Sequence, residues 1–236
     1  GKGNGNSHSS YGSFFDGYID ELKFYDYPLT EDEINLDYNQ GKSLVMSSSG
    51  TESDGATVSS SAGREYCVPG DDSACDPPAA EWKFDEKEGL TAYDTSGNGN
   101  DGTVDGATWT RGKKGSGLEF DGNDDYISDI SSTALNQTQE AWVKIDSLPS
   151  SSGRITSRSA CGNGRLYVNS NGTIRWEFGS STTCESISTD DPLNIGRWYH
   201  VAATYSNKDL KIYINGKLKK EGDITIDPVT SSSITI

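Results

Sequence analysis

The fold is decided by residues 197–218, which read RWYHVAATYSNKDLKIYINGKL. Apolar and polar side chains alternate in WYHVAATY and again in LKIYI, and this period of two is typical of half-buried β-strands. Asn215-Gly216 follows the second run directly, and this dipeptide is the strongest short-range signal for a hairpin turn. The stretch therefore predicts antiparallel strands joined by a tight turn.

The same pattern recurs from Ala79 to the end of the chain. Alternating runs of four to eight residues lie between Gly, Asn, Asp or Ser turns: EWKFDE, TVDGATWT, GLEFDG, DYISDI, QEAWVKI, RLYV and TIRWEF. Asn171-Gly172 places RLYV antiparallel to TIRWEF. About ten strands at this spacing favour an all-β fold, a two-sheet antiparallel sandwich, which the 27 glycines also fit.

The first part of the chain predicts one strand and one short helix. FFDGYIDELKFY should be a mostly buried strand, and regular alternation would place Ile19 and Glu21 on one side and Leu22 on the other. A capping box of Thr30 and Glu33 begins the helix EDEINLDY, which should end at Gly41.

The chain is expected to divide into three parts. Residues 42–78 contain SSSGTESDGATVSSSAG and few large apolar side chains, which indicates a linker. Residues 1–41 and 79–236 carry the strand patterns, so we expect both to contribute to a sandwich.

Charge excludes two classes of partner. The chain has 20 Lys and Arg against 36 Asp and Glu, a formal net charge of -16, so it lacks the basic footprint for nucleic acid or an anionic membrane surface. No apolar run is long enough for membrane insertion.

The absence of an initiator Met and of a leader favours a mature secreted segment or an excised piece. Sequons at Asn136 and Asn171 are compatible with surface glycosylation.

The four cysteines predict disulfides and an extracellular or cell-surface location. Four cysteines allow three pairings, and we expect Cys67 with Cys75 and Cys161 with Cys184, since the second pair brackets a predicted hairpin. Zinc is the competing interpretation, but the chain has no CxxC spacing and only two histidines.

Four segments resemble the laminin-G-like, concanavalin-A-like lectin and glucanase jelly-roll family. WKFDEKEGLTAYDTSGNGNDGTVDGATW is similar to the opening of that family, GLEFDGNDDYI to its second motif, RWYHVAATYSNKDLKIYINGKL to its middle and FDGYIDELKFYDYPLTEDEI to its close. The resemblance implies the jelly-roll sandwich that the strand pattern also predicts.

The order of these motifs is unusual, because the closing motif occupies residues 14–34. Three explanations stay open: an internal circular permutation, an arbitrary cut through a tandem repeat, and exchange between neighbouring subunits. A cut or an exchange is favoured, because strands left without partners expose backbone edges that another copy would pair.

The resemblance also implies a structural calcium ion where the opening loop meets the closing strand. The expected ligands are Asp94, Asn98 and Asp101 of the loop DTSGNGNDG, with Asp20 on the strand. The competing interpretation is turn chemistry alone. A second acidic group, more typical of a solvated hairpin tip, is formed by Asp121, Asp124 and Asp125.

Aromatic side chains offer either core packing or a sugar-binding surface. Core packing is favoured for the five tryptophans, Trp82, Trp109, Trp142, Trp176 and Trp198, because each lies in an alternating strand pattern. Tyr167, Tyr199 or Tyr213 could line a sugar groove.

The sequence does not predict catalysis. Glucan-cleaving enzymes of the family that this chain resembles carry two Glu flanking an Asp on one strand. This sequence contains no E-x-D-x-x-E string. The adjacent pairs Asp20-Glu21 and Asp85-Glu86 should point to opposite sheet faces. We interpret His200 as a hydrogen-bonded histidine of the sheet.

The sequence favours a non-catalytic extracellular structural or adhesive module, linked head to tail with other copies of itself in a surface fibre or array. The alternative is a glycan-binding lectin module attached to a larger secreted enzyme or adhesin. Binding of glycans by a monomeric sample would favour the alternative.

Overall fold

The structure is a computed structural model that describes residues 14–39, 77–128, 130–131, 135–158, 164–180, 183–228 and 233–236. These residues form one helix, α1 (Glu31–Tyr38), and a series of strands. The strands are β1 (Asp16–Tyr25), β2 (Ala80–Trp82), β3 (Thr91–Ala92), β4 (Gly102–Asp105), β5 (Thr108–Arg111), β6 (Ser116–Asp121), β7 (Tyr126–Ser128), β8 (Ile130–Ser131), β9 (Gln137–Ile145), β10 (Ser152–Arg158), β11 (Arg165–Asn169), β12 (Ile174–Gly179), β13 (Cys184–Ser188), β14 (Trp198–Ser206), β15 (Asp209–Ile214), β16 (Lys217–Asp223) and β17 (Ser233–Thr235).

Two antiparallel sheets form the body of the fold. The eight-stranded sheet has the order β16-β15-β14-β9-β1-β6-β5, with β2 paired to β1, and the six-stranded sheet has the order β13-β12-β11-β10-β17-β8. A small third sheet has the order β3-β4-β7. This arrangement confirms the predicted all-β sandwich with a single short helix.

The core lies between the two large sheets and is rich in aromatic side chains. Trp176 and Phe178 of β12 are fully buried, and the Phe178 ring stacks on Tyr205 of β14 with centroids 4.2 Å apart. Trp176 Nε1 donates to the carbonyl oxygen of Thr204 at 3.1 Å. That bond satisfies the polar atom of a buried indole and links the two sheets.

Strand β1 lies inside the eight-stranded sheet of its own chain. Ile19 is paired with Val143 of β9 on one side and with Leu118 of β6 on the other. Residues 14–39 therefore pack into the same sandwich as the strands that follow residue 79. Exchange of this strand between copies stays a prediction.

A β-bulge in β1 corrects the predicted alternation. The register with β9 shifts between Asp20 and Lys23, and Glu21 has a φ of 50°. Because the bulge adds one residue, Leu22 lies in the core on the same side as Ile19, not on the opposite side as expected. Lys23 then faces away from the core.

Helix α1 covers the outer face of the eight-stranded sheet. The predicted capping box is present: the Thr30 hydroxyl accepts from the Glu33 N–H at 3.3 Å, and the Glu33 carboxylate accepts from the Thr30 N–H at 2.8 Å. Ile34 is fully buried against Tyr213 of β15. The helix ends at Tyr38, and residues 40 and 41 lie outside the described part of the chain.

Both predicted hairpin turns are confirmed. Asn215 and Gly216 have φ values of 53° and 75°, the left-handed conformation that a two-residue turn between β15 and β16 requires. Around Asn171-Gly172, Val168 of β11 pairs with Ile174 of β12.

Several sequence predictions fall on residues that the structure does not describe. Residues 42–76 of the predicted linker are among them, as are Cys67, Cys75 and Cys161. Cys184 lies on β13 beside Gly179, so it belongs to a third strand rather than to an arm of the β11–β12 hairpin as expected. Both cysteine pairings stay predictions. In the described part of the chain, no helix is long and apolar enough to cross a membrane.

Candidate functional site

Five side chains share the outer face of the six-stranded sheet: Arg154 of β10, Arg165 and Tyr167 of β11, and Arg175 and Glu177 of β12. We call this surface the arginine face. The strand register aligns Arg154 with Tyr167, Tyr167 with Arg175, and Arg165 with Glu177. Residues directly opposite one another in antiparallel strands point to the same side, so these five form two adjacent cross-strand rows.

The strand sequences produce this face by alternation. In β11, Leu166 and Val168 enter the core between the outward residues, and in β12 Ile174, Trp176 and Phe178 do the same. One side of these strands is therefore apolar and fully buried, whereas the other carries charged and hydroxyl groups.

The side chains of the arginine face hold one another in place. Arg165 Nη2 forms an ion pair with Glu177 Oε1, and the Tyr167 hydroxyl donates to the same oxygen at 3.4 Å. The Tyr167 ring lies 4.4 Å from Arg175 Cζ and 5.6 Å from Arg165 Cζ, which is cation–π geometry. The ring is only 3% exposed, so a ligand would meet guanidinium groups before it met the aromatic ring.

Three arginines and one glutamate leave this face positively charged, although the whole chain carries -16. Charges of both signs affect the pKa of Tyr167. Burial raises the pKa of its hydroxyl and the Glu177 charge raises it further, while Arg165, Arg154 and Arg175 act in the opposite direction. The Arg165 and Glu177 side chains are 14% and 11% exposed, so their electrostatic interactions are only partly screened by water.

Asp94, an expected calcium ligand, organises its own loop. Its Oδ1 accepts from the N–H groups of Glu81 at 3.0 Å and Ser96 at 2.9 Å, and its Oδ2 accepts from the N–H of Asn100 at 2.9 Å. Burial alone would raise the pKa of Asp94, but these hydrogen bonds favour the carboxylate and lower it. These hydrogen bonds are of the kind that the turn-chemistry interpretation expects.

The other expected calcium ligands have separate contacts. Asp101 Oδ1 accepts from the Asp94 N–H at 2.9 Å, and Asn98 Nδ2 donates to the Ala79 carbonyl at 3.1 Å. Asp20, on β1, accepts from the Lys114 N–H at 2.8 Å. Asp20, Asp94 and Asp101 are not among the described acidic groups whose oxygens lie within 4.8 Å of one another, and calcium binding by these residues with Asn98 stays a prediction.

Asp20 nevertheless has an unusual environment. Its side chain is fully buried, and Oδ1 has no hydrogen-bond partner in the described part of the chain. Burial raises the pKa of Asp20 to about 7, against the effect of the Lys114 N–H and with a contribution from Glu21. A calcium ion that uses Asp20 stays a prediction.

The second acidic group predicted from the sequence does come together. Oxygens of Asp121, Asp124 and Asp125 lie within 4.8 Å of one another. Asp125 accepts from the Asp121 N–H at 2.8 Å, and Asp121 accepts from the Asn123 N–H at 2.8 Å. These bonds and the exposure of Asp121 and Asp124 agree with a hairpin tip in water.

The tryptophans divide between the core and the surfaces of the eight-stranded sheet. Trp82 and Trp176 are fully buried, as expected. Trp142 lies on the outer face, where Tyr38 of α1 covers it and the Lys113 ammonium lies 4.6 Å from its ring centroid. The two half-buried tryptophans are Trp109 and Trp198.

Two of the three tyrosines proposed for a sugar groove lie elsewhere. Tyr213 is 4% exposed beneath α1. Tyr199 packs against the core, and its hydroxyl accepts from the Asn194 N–H at 3.2 Å. Tyr167 alone of the three belongs to the arginine face.

A buried charged cluster lies under α1. Lys23 Nζ is 2.9 Å from Asp37 Oδ1 and 3.5 Å from Glu140 Oε1, and Tyr25 donates to Asp37 at 2.8 Å. Burial raises the pKa of Glu140 well above its usual value. His200 Nε2 lies 3.7 Å from Glu140 Oε2.

His200 is buried in the sheet as predicted, at 3% exposure, but its Nδ1 has no hydrogen-bond partner among the described residues. Burial lowers the pKa of His200 to about 3. The imidazole is therefore held in its neutral form within the sheet.

The adjacent acidic pairs differ from expectation at one position. Asp20 and Glu21 both contact Lys114, through its N–H and its ammonium group respectively, because the β-bulge interrupts the alternation of β1. The prediction of opposite faces is therefore wrong there. Asp85 accepts from the Ser116 N–H and Glu86 from the Tyr93 N–H, so these two carboxylates have separate roles.

Both sequon asparagines are exposed. Asn136 Oδ1 accepts from the Asn207 N–H at 3.3 Å, and Asn171 Oδ1 accepts from the Thr173 N–H at 3.1 Å. Glycosylation at either position stays a prediction.

The sequence analysis missed the arginine face, although a signal was present. Arg165 and Tyr167 alternate with apolar residues in RLYVN, and Arg175 and Glu177 do so in IRWEFG. Once Asn171-Gly172 fixes the register of the hairpin, these four polar positions must lie on one side.

The comparisons with known proteins agree with this fold. Residues 121–236 match the model of the Laminin_G_3 family, described as the concanavalin A-like lectin/glucanases superfamily. This match over residues 121–236 confirms the resemblance predicted above. None of the curated protein sequences matches the chain.

Three solved structures illustrate the likeness. Domain 4 of AbnA, a GH43 extracellular arabinanase from Geobacillus stearothermophilus solved in complex with arabinotriose, has a TM-score of 0.55 at 22% identity and covers 66% of this chain and 81% of that one. The carbohydrate binding module CBM66 from Bacillus subtilis has a TM-score of 0.41 at 15% identity, over 57% and 86% of the two chains. An S-layer domain-containing protein from Clostridium thermocellum ATCC 27405 has a TM-score of 0.38 at 25% identity, over 63% and 74%.

Proposed function

We propose that this chain is a non-catalytic, extracellular carbohydrate-binding module and that the arginine face is its ligand surface. The observation that carries the proposal is a set of three partly exposed guanidinium groups on the outer side of adjacent strands, beside the buried Tyr167 hydroxyl and Glu177 carboxylate. Such a set offers several fixed N–H donors and an acceptor, which suits the hydroxyl-rich surface of a sugar.

Rigidity supports this role. Arg165, Tyr167 and Glu177 already contact one another, and they stand on central strands whose other side is fully buried. Binding therefore requires little additional ordering of side chains, which lowers its entropic cost.

The likeness to AbnA domain 4 directs the proposal toward glycans, since that domain was solved in complex with arabinotriose and shares the sandwich fold. The head-to-tail fibre module favoured by the sequence has no comparable support. In this structure β1 is paired on both sides by strands of its own chain.

A glycan array probed with the full chain tests the proposal. The variant Arg165→Gln/Glu177→Gln replaces both partners of the ion pair with amides, so neither charge is left buried alone. The matched control is Lys211→Gln/Asp209→Asn, which changes an ion pair of 2.7 Å on the eight-stranded sheet. We expect the first variant to lose binding and the control to retain it.

Two results would contradict the proposal. One is a wild-type chain that binds no glycan on the array. The other is unchanged binding by the Arg165→Gln/Glu177→Gln variant with a native circular dichroism spectrum.

A further inference from the structure

The composition of the arginine face is unusual for a chain this acidic. Among the described residues, Arg165 and Arg175 share the single carboxylate of Glu177, each at ion-pair distance, so this pair of strands carries more positive than negative charge on the face. Long-range attraction of an anion by the chain as a whole is excluded by the net charge of -16. The face therefore differs from its surroundings in the sign of its charge.

Arg175 is less closely paired with Glu177 than Arg165 is. Its Nη2 lies 3.9 Å from Glu177 Oε2, which is ion-pair distance but too long for a hydrogen bond. Its Nε is itself buried and has no hydrogen-bond partner in the described part of the chain, whereas the side chain as a whole is 29% exposed. Arg165, by contrast, already has Glu177 as a partner.

The ring of Tyr167 does not offer a stacking surface to a neutral sugar. It is 3% exposed and lies within cation–π distance of two guanidinium groups. A ligand on this face consequently meets planar N–H groups, and such a planar fork matches a carboxylate through two parallel hydrogen bonds.

The face is also extended. One row runs from Arg154 through Tyr167 and Arg175 to Ser188 of β13, across four strands. At the usual strand spacing this row is about 14 Å long, enough for more than one sugar ring.

From these observations we infer that the arginine face binds glycans that carry carboxylate groups, that is, polysaccharides containing uronic acids, with Arg175 as the main carboxylate contact. This inference rests on the proposed carbohydrate-binding function. It adds that the bound glycan is negatively charged.

The test is titration calorimetry of the full chain with polygalacturonate, alginate and hyaluronate, each beside its carboxyl-reduced form, in which the acid has become a primary alcohol. We expect at least one acidic polymer to bind about 10-fold or more tightly than its reduced form at 0.05 M salt, because hydrogen bonds to charged groups are the stronger ones. The affinity should fall as the salt concentration rises.

Variants assign the effect to this face. Arg175→Gln should weaken binding of the acidic polymer about 10-fold or more, a clearly larger loss than the same variant shows for the reduced form. Arg175→Lys keeps the charge but not the fork, so its loss should be intermediate. Arg111→Gln is the matched control, since Arg111 is an exposed arginine on β5 of the other large sheet, and it should bind as the wild type does.

The outcomes separate this inference from the proposed function. Equal binding of acidic and reduced polymers, with loss in the Arg165→Gln/Glu177→Gln variant, would overturn the inference and leave the proposed function standing. Equally tight binding of dextran sulfate or poly-L-glutamate would also overturn it, since the site would then recognise negative charge rather than uronic acids. If none of these polymers binds but another glycan on the array does, the inference fails and the proposed function stands; if no glycan binds at all, both fail.

Discussion

His200 should make the chain sensitive to acid. Burial lowers the pKa of His200 from 6.5 to about 3, with smaller contributions in the same direction from Lys23 and Lys114 and an opposing one from Asp37. The unfolded chain therefore binds a proton at pH values where the folded chain does not. The stabilisation from this residue is fully present above pH 6.5 and is lost as the pH falls toward 3.

The magnitude follows from the two pKa values. Between pH 7 and pH 5, preferential protonation of the unfolded chain at this one site lowers the free energy of unfolding by about 2 kcal/mol. Other groups act in the opposite direction, because burial raises the pKa of Asp20 and of Glu140. The effect of His200 must therefore be measured as a difference between two chains.

The assay compares the wild type with His200→Phe, which keeps an aromatic ring beside Tyr38 and Trp142. Urea unfolding followed by tryptophan fluorescence gives the free energy of unfolding at pH 7, 6 and 5. Relative to the wild type, the variant should gain about 2 kcal/mol between pH 7 and pH 5. Tyr38→Phe, a control in the same aromatic cluster, should show no such gain. Parallel curves for the wild type and His200→Phe would refute the argument that a neutral histidine is buried here.

Three further predictions concern stability. Lys23→Met removes the cation shared by Asp37 and Glu140, so it should cost about 3–5 kcal/mol at pH 7 in urea unfolding, whereas Lys23→Arg should cost little. The cost should be smaller at pH 5, because burial raises the pKa of Glu140 and a lower pH favours its neutral form. Leu22→Ala, at a fully buried position of β1, should cost about 2–5 kcal/mol by the same assay, whereas a loss below 1 kcal/mol would mean that β1 is not part of the core. If calcium binds through Asp20, exhaustive chelation should lower the melting temperature of the wild type but not that of Asp20→Asn, and an unchanged wild-type melt would remove the calcium site.

Much of the fold was predictable because its signals are local. The turn at Asn215-Gly216 requires left-handed backbone at both positions, and the capping box of Thr30 and Glu33 involves residues only three apart. Alternation between such signals is sufficient to predict strands and a sandwich. None of these inferences needs knowledge of which strands become neighbours.

The errors arose where distant parts of the chain decide the outcome. Glu21 has no sequence signal for a β-bulge, and the bulge reverses the side on which Leu22 lies. The charged cluster under α1 joins residues from one strand, the helix and β9, so no single segment reveals it.

The candidate site is an intermediate case. The alternation in β11 and β12 contains the positions of Arg165, Arg175 and Glu177, but the side of the sheet that faces the core is fixed only by packing. Arg154 could not have been added from sequence, because its alignment with Tyr167 depends on the irregular pairing of β10 with β11.

The most direct test of the account is a structure of the full chain bound to an oligosaccharide of uronic acids. We predict that a sugar carboxylate lies within hydrogen-bond distance of the Arg175 guanidinium, with neighbouring sugar oxygens in contact with Arg154 or Arg165. An oligosaccharide bound on the eight-stranded sheet, or one that leaves Arg175 without a contact, would contradict the account.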